Sequence, residues 1–213
     1  MSRPAPTVVK LGGSHALSAH LRAWIEAIAG CAGDIVLVPG GGPFADAVRD
    51  AQPKMGFDDD AAHRMALLAM EQYGCALASL NRALVPADSE AAIGYALEAG
   101  RIPVWMPSRM ALAASDIATS WDVTSDSLAA WLAGRISARQ LLLVKHVAPG
   151  DERASLQDLA ARGIVDAAFT DFVARAGVPV VVLGPDDQAS LTDIVRHQTS
   201  ADMQIGDRRV RMD

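Results

Sequence analysis

The chain has 213 residues, 51% of them hydrophobic, with 19 basic and 25 acidic side chains for a formal net charge of −6. This is enough apolar material for one sizeable core, and a mildly acidic chain without a basic run excludes phosphate-driven nucleic-acid binding. Two cysteines far apart, no zinc-ligand spacing and no apolar run near the ~18 residues of a membrane span exclude disulfide scaffolds, zinc modules and transmembrane proteins.

In chain order, Met1–Pro6 leads on without the apolar core of a secretory leader, so a cytoplasmic location is expected. Thr7–Leu11 reads as a buried strand, and Leu17, Leu21, Trp24, Ile25 and Ile28 mark one face of a helix. Ile35–Val38 is a second strand, broken by Pro39 and three glycines. Ala45–Ala51 is helical, with a polar break at Gln52-Pro53-Lys54. A helix-rich stretch covers residues 60–84 and a shorter helix 90–99. Val104–Met106 is a brief strand between two prolines, and residues 107–124 are irregular. A helix starts near Asp126 and carries Leu128, Trp131 and Leu132. Further strands are expected at Leu141–Val144, Val180–Leu183 and Ala201–Ile205, with helices at 155–162, 167–176 and 188–196. Strands alternating with helices predict one α/β unit, a mainly parallel sheet covered on both faces.

Ligands of such sheets bind beyond the carboxyl ends of the strands, and three of those ends are chemically unusual. Lys10-Leu11-Gly12-Gly13-Ser14 puts a lysine before two glycines whose N–H groups can approach an anion, although Gly-Gly-Ser is also ordinary turn chemistry. Gly40-Gly41-Gly42-Pro43 holds more glycine than a tight turn needs, and each one clears a Cβ from a ligand's path. Neither loop is a Walker A sequence or a dinucleotide fingerprint. The third end is Trp121–Ala130, where Thr124 or Ser125 can cap a helix. Asp126 there is a dipole-complementing acid, or it orients lysines or lies near Mg²⁺.

The set Val9–Ser14, Gly40–Phe44, Thr124–Ala130 and Leu141–Val147 resembles the amino-acid-kinase superfamily, over residues 7 to about 205. Within it, Ser120–Asp126, Val104–Pro107, His63–Tyr73 and Gly163–Asp166 resemble the branch that phosphorylates aminomethyl-furanmethyl phosphate to the diphosphate in methanofuran biosynthesis. The resemblance implies a three-layer α/β/α sandwich and a single domain over 1–213, with an acceptor-side half to about 135 and a nucleotide-side half beyond. It also implies ATP and Mg²⁺ as cofactors, a small-molecule substrate, and a homodimer or larger homo-oligomer.

The roles it implies are specific. Lys10, Asp126 and Lys145 are catalytic. Gly12, Gly13, Ser14 and Lys145 bind ATP, and Gly40, Gly41, Gly42, Trp121, Thr124, Ser125 and His63 bind the acceptor. No protein metal ligands are assigned. Phe44-Ala45-Asp46 lacks the histidine of isopentenyl phosphate kinases. The late Gly-Gly-Met-x-x-Lys lysine is missing between Asp151 and Arg196, leaving Lys145 as its substitute.

Other candidates have structural readings. Asp58-Asp59-Asp60 suits a solvated helix start, His63 a surface or cap histidine. His15 follows the first loop closely and is a candidate phosphate neighbour. His20, His146 and His197 form no ligand spacing. Trp105 and Trp131 suit the core or a substrate wall, and Trp121 the wall of a flat-ring pocket. Two alternatives stay open: a non-catalytic nucleotide or oxyanion binder on the same fold, and a kinase of an acylated amino acid carboxylate.

Overall fold

The structure, a computed structural model, describes residues 4–146 and 155–196. The strand expected at Ala201–Ile205, together with Val147 and His197, lies outside the described residues.

Thr7–Leu11 forms β1 and Ile35–Pro39 forms β2, each buried at every position, as expected of strands covered on both faces. Leu84–Ala87 (β3), Ile102–Trp105 (β4), Gln140–Val144 (β5) and Val180–Leu183 (β6) complete a six-stranded sheet in the order β3-β4-β2-β1-β5-β6. Every recorded pairing is parallel. From β1 the chain adds β2, moves out to the edge with β3, inserts β4 between them, and then crosses to the other side of β1 with β5. The carboxyl ends of β1 and β5 therefore flank the topological switch point, where such sheets bind ligands.

Helices cover both faces. Leu21–Ala29 (α1), Gly42–Met55 (α2), Asp59–Leu80 (α3), Glu90–Glu98 (α4), Ser108–Ala111 (α5) and Ser125–Arg135 (α6) lie in the first two thirds of the chain. Leu156–Ala161 (α7), Phe169–Ala176 (α8) and Leu191–Arg196 (α9) follow. Val8, Val36, Val38, Leu141 and Leu143 pack with α4, α6, α7 and α8 on one face. Val9, Leu11, Ile35, Leu37 and Leu142 pack with α1 and α9 on the other, which gives three layers. α3 joins both clusters, through Leu67 and Met70 on the first and Tyr73 and Leu77 on the second.

Several boundaries differ from the sequence expectation. α2 runs through Pro53, which forfeits the bond its nitrogen would otherwise make to the Arg49 carbonyl, and the helix stops three residues later at Gly56 with φ +75°. α3 ends at Leu80, and the short edge strand β3, which contains Pro86, follows it. β4 begins at Ile102 and includes Pro103; its pairing with β2 is registered only at Leu37 and Val104. The region 107–124 contains the short α5. Leu17 closes a 3₁₀ turn, Gly13–Leu17, and is 91% exposed, so it does not belong to the α1 face.

Candidate active site

Period-2 alternation puts Val8 and Lys10 on the α6 face of β1, and Lys10 pairs in register with Leu143 of β5. Lys145, one pleat further along, therefore points to the same side. Its amide is fixed by a 2.9 Å bond to the Leu183 carbonyl. Between them stands Asp126, in the first turn of α6. Lys10 Nζ lies 2.7 Å from Asp126 Oδ1 and Lys145 Nζ lies 2.5 Å from Oδ2. All three side chains are at least nine-tenths buried. Two ammonium groups on one carboxylate leave a surplus positive charge, which an incoming anion can satisfy.

Burial pushes the Asp126 carboxyl up, but the charges and hydrogen bonds of Lys10 and Lys145 outweigh it and hold the carboxyl below its ordinary range. Desolvation and the Lys10 charge lower Lys145 to about 8, against the opposing pull of Asp126. Both oxygens of Asp126 face lysines, so it orients them. Among the described residues no group of three or more His, Cys, Asp or Glu is arranged to hold a metal ion. The residues present do not form a protein cage for Mg²⁺.

The placement of Asp126 depends on a residue far along the chain. Thr124 stands at the N-cap of α6 but makes no side-chain cap, and neither does Ser125. Instead Asp166, between α7 and α8, accepts from the Thr124 amide at 3.1 Å, the Thr124 hydroxyl at 2.8 Å and the Ser127 amide at 3.0 Å. The Ser127 hydroxyl also donates to it. The carboxylate thus satisfies helix-end donors in place of a local cap.

The two glycine loops lie backbone to backbone. A Cβ on Gly13 would fall 2.2 Å from the Gly42 nitrogen, and one on Gly40 would fall 2.3 Å from the Gly13 nitrogen. Gly42 also has φ +57°. These glycines serve the approach of the loops, in addition to any ligand. Two of the expected anion donors are committed elsewhere: the Gly12 amide donates to Val144 O at 3.2 Å and the Gly40 amide to Leu11 O at 2.9 Å. The Gly41 and Gly42 amides stand at the start of α2, where N–H groups lack intrahelical acceptors. Ser14 Oγ meets His146 Nδ1 at 2.8 Å. His15 is fully buried, its ring edge-on to Trp24 at 6.5 Å.

Beside the loops opens a cleft of about 240 Å³. Gly13, Ser14, Gly41 and Gly42 line its inner end with Ser125; Arg49, Asp59, His63 and Trp121 line the rest, with an apolar floor of Ala66, Met70 and Leu128. Gly40 does not line it. Trp121 is held in place by its indole N–H, which donates to Gln52 Oε1 at 2.6 Å, and by the Arg49 guanidinium 4.5 Å above the ring. Gln52 Nε2 donates onward to Asp59 at 2.8 Å. Desolvation keeps the His63 pKa below its usual value, with Asp60 opposing.

Arg49 escapes the sequence reading, in which Gln52 is only a helix break, Asp59 part of an acidic run suited to a helix start or a cation site, and Asp166 only part of a resemblance. Asp46 and Arg49, spaced four and seven after Gly42, share its side of α2, a signal that was available. Of the acidic run, Asp58 caps α3 through the Ala61 amide at 2.8 Å, as a solvated helix start requires, while Asp59 turns into the cleft. His20 pairs with Asp186 at 3.5 Å. Trp105 and Trp131 stack on each other in the core at 6.0 Å, away from the cleft.

Comparison with known proteins agrees with this geometry. The [5-(aminomethyl)furan-3-yl]methyl phosphate kinase of Methanocaldococcus jannaschii is 26% identical over 144 residues, which are 66% of this chain and 65% of that protein. The chain thus spans just under two thirds of the relative's length. Uridylate kinase from Archaeoglobus fulgidus superposes with a TM-score of 0.67 at 18% identity, covering 88% of this chain and 95% of that one. UMP kinase from Ureaplasma parvum gives 0.67 at 15%, covering 91% and 97%. At those identities the two structures establish the fold. The model of the amino acid kinase family matches residues 5–149, more than half of the sequence and all of the Lys10–Asp126–Lys145 group. The chain belongs to the amino acid kinase family.

Proposed function

We propose that this protein is an ATP-dependent kinase that transfers the γ-phosphoryl group to an anionic oxygen of a small molecule, the phosphate of [5-(aminomethyl)furan-3-yl]methyl phosphate, to give the diphosphate. The observation that carries the reading is the buried Lys10–Asp126–Lys145 group at the switch point, beside a cleft with glycine amides at one end. The name of the relative from Methanocaldococcus jannaschii supports the acceptor.

In this proposal the acceptor oxygen bonds to the γ-phosphorus, the bond from that phosphorus to the β,γ-bridging oxygen breaks, and ADP leaves with the electron pair. An ionised phosphomonoester oxygen needs no general base, so no proton moves. The transition state spreads charge over the equatorial oxygens, and fixed cations stabilise it without reorganising. Lys10 bridges donor and acceptor phosphates, and Lys145 meets the β- or γ-phosphate. Asp126 keeps both ammonium groups in position. Gly13 and Ser14 take the ATP side. The Gly41 and Gly42 amides and Ser125 take the acceptor phosphate, and Trp121, Thr124 and His63 wall its body.

Mg²⁺ enters with ATP, held by phosphate oxygens and water as is usual for this ion; when bound it neutralises phosphate charge. In this reading Asp126 belongs to the acceptor-side half, to about residue 135, and Lys145 to the nucleotide-side half. A cytoplasmic location fits the composition, and among the described residues no helix is long and apolar enough to cross a membrane. Self-association as a homodimer or larger homo-oligomer belongs to this reading through the family resemblance alone.

The test is ³¹P NMR of the purified protein with Mg–ATP and the furan phosphate. Coupled doublets of a new diphosphate, with matching ADP, are expected. Bound ATP without product from this acceptor overturns the acceptor assignment, and failure with other phosphomonoesters and carboxylates overturns the kinase reading.

A further inference from the structure

We propose that the outer end of the cleft is a cation subsite, formed by Asp59 and His63, which selects acceptors carrying an ammonium group opposite the reacting phosphate. The inference rests on the phosphomonoester-kinase reading above and adds what that reading leaves open, the group that fixes the acceptor's far end.

The cleft wall on α3 is one helical stripe, Asp59, Ala62, His63, Ala66, Leu67 and Met70, spaced as a single face requires. Asp59 and His63 are one turn apart on it. Opposite them, Gly42, Ala45, Asp46 and Arg49 of α2 form the other wall. From Gly42 to Arg49 the helix rises about 10 Å, enough for a small ring with a phosphate arm inward and an amine arm outward.

The two ends differ electrically. At the inner end, α2 and α6 both begin against the cleft, at Gly42 and Ser125, and their positive ends suit an anion. At the outer end the Arg49 charge is met by Asp46 at 3.2 Å. Asp59 has no cation: one oxygen accepts from the neutral Gln52 amide at 2.8 Å. The other is available to a ligand.

His63 supplies the independent observation. It is only 8% exposed, lines the cleft, and makes no hydrogen bond within the described residues. An imidazole that opens on a cleft without a protein partner is free to meet a ligand there. Burial favours its neutral form, and a neutral imidazole keeps one nitrogen lone pair that accepts from an ammonium N–H. A carboxylate and a lone pair on one face leave two acceptors for a primary ammonium.

The experiment compares two acceptors in one assay: the aminomethyl furan phosphate and the same ester with the aminomethyl replaced by hydroxymethyl. Wild-type protein is expected to favour the amine by about tenfold or more in kcat/KM, the scale of a hydrogen bond to a charged group. Asp59→Asn, which still accepts from Gln52, and His63→Leu should each lower the preference for the amine over the hydroxymethyl ester, read as the ratio of their kcat/KM values, several-fold. Asp50→Asn, the same charge change on α2 outside the cleft, should keep the wild-type preference. Because the preference is a ratio within each variant, loss of folded protein cancels. Equal use of both esters by wild type overturns the subsite and leaves the kinase reading standing. A preference unchanged in both Asp59→Asn and His63→Leu overturns it too. If neither ester is phosphorylated while ATP still binds, the acceptor assignment has failed, and the subsite with it.

Discussion

Asp166 holds Thr124 twice, through the backbone amide at 3.1 Å and the hydroxyl at 2.8 Å, across 42 residues of sequence. That clasp fixes the first turn of α6, and with it the direction of Asp126. Asp166→Ala should therefore destabilise the fold by about 2–4 kcal/mol, the scale of a lost cap with its added hydroxyl bonds. It should also lower kcat more than the KM for ATP, with Asp166→Asn in between. Urea unfolding and steady-state kinetics on the same preparations check both.

Lys10→Met should reduce kcat by about a thousandfold or more, the scale of losing a preorganised charge at a transition state. The fold should persist, since Asp126 and Lys145 remain as a neutral pair. Turnover near wild type would remove Lys10 from the mechanism.

Asp126→Asn does the opposite to the charge balance, leaving two buried ammonium groups without a counterion. A destabilisation of about 3–5 kcal/mol is expected. Mg–ATP, whose phosphates supply the missing negative charge, should then raise the melting temperature of the variant more than that of wild type. An equal shift would place the phosphates away from the lysines.

The pH profile follows from Lys145, whose pKa of about 8 in the ligand-free protein reflects burial and the Lys10 charge. Its protonated form is the one that attracts phosphate, so kcat/KM should fall as pH rises through about 8. Bound nucleotide phosphate favours that charged form, so the corresponding limb in kcat should lie higher. Lys145→Arg, which stays charged, should abolish the limb; a limb that survives belongs to another group.

At the glycine loops, Gly13→Ala puts a Cβ 2.2 Å from the Gly42 nitrogen, whereas Gly12→Ala meets Val144 O at 3.2 Å. The first should separate the loops, costing about 1–3 kcal/mol by overpacking and most of the activity. The second should be milder on both measures. Equal effects would mean that loop contact is not what Gly13 serves.

The strands were legible because β2 and β6 are unbroken apolar runs and β1 and β5 nearly so, Lys10 because it puts a charge inside one of them, and Asp126 because it opens an apolar helix. β3 was missed because Pro86 and a half-exposed pattern give an edge strand little periodicity. Arg49 and Gln52 were hidden by Pro53, which reads as a break in sequence yet lies inside the last turn of α2. Asp166 could not be found locally at all. A cap ordinarily lies beside the helix it serves, and this one belongs to a different connection of the fold. The mutual packing of Gly13 and Gly40 was equally silent, since two loops rich in glycine look the same whether they face a ligand or each other.

The cleft and the lysine pair are built from different parts of the chain. Lys10 and Lys145 are carried by the ends of two neighbouring strands, while the acceptor walls are one stripe each of α2 and α3 and the Trp121 loop. None of the wall side chains touches either ammonium group by hydrogen bond or ion pair. In the proposed kinase, acceptor choice is accordingly open to substitution on the cleft faces of α2 and α3 without touching the lysine pair, so a library confined to Ala45, Arg49, Asp59, Ala62, His63 and Ala66 would sample new substrates on an unaltered Lys10–Asp126–Lys145 group.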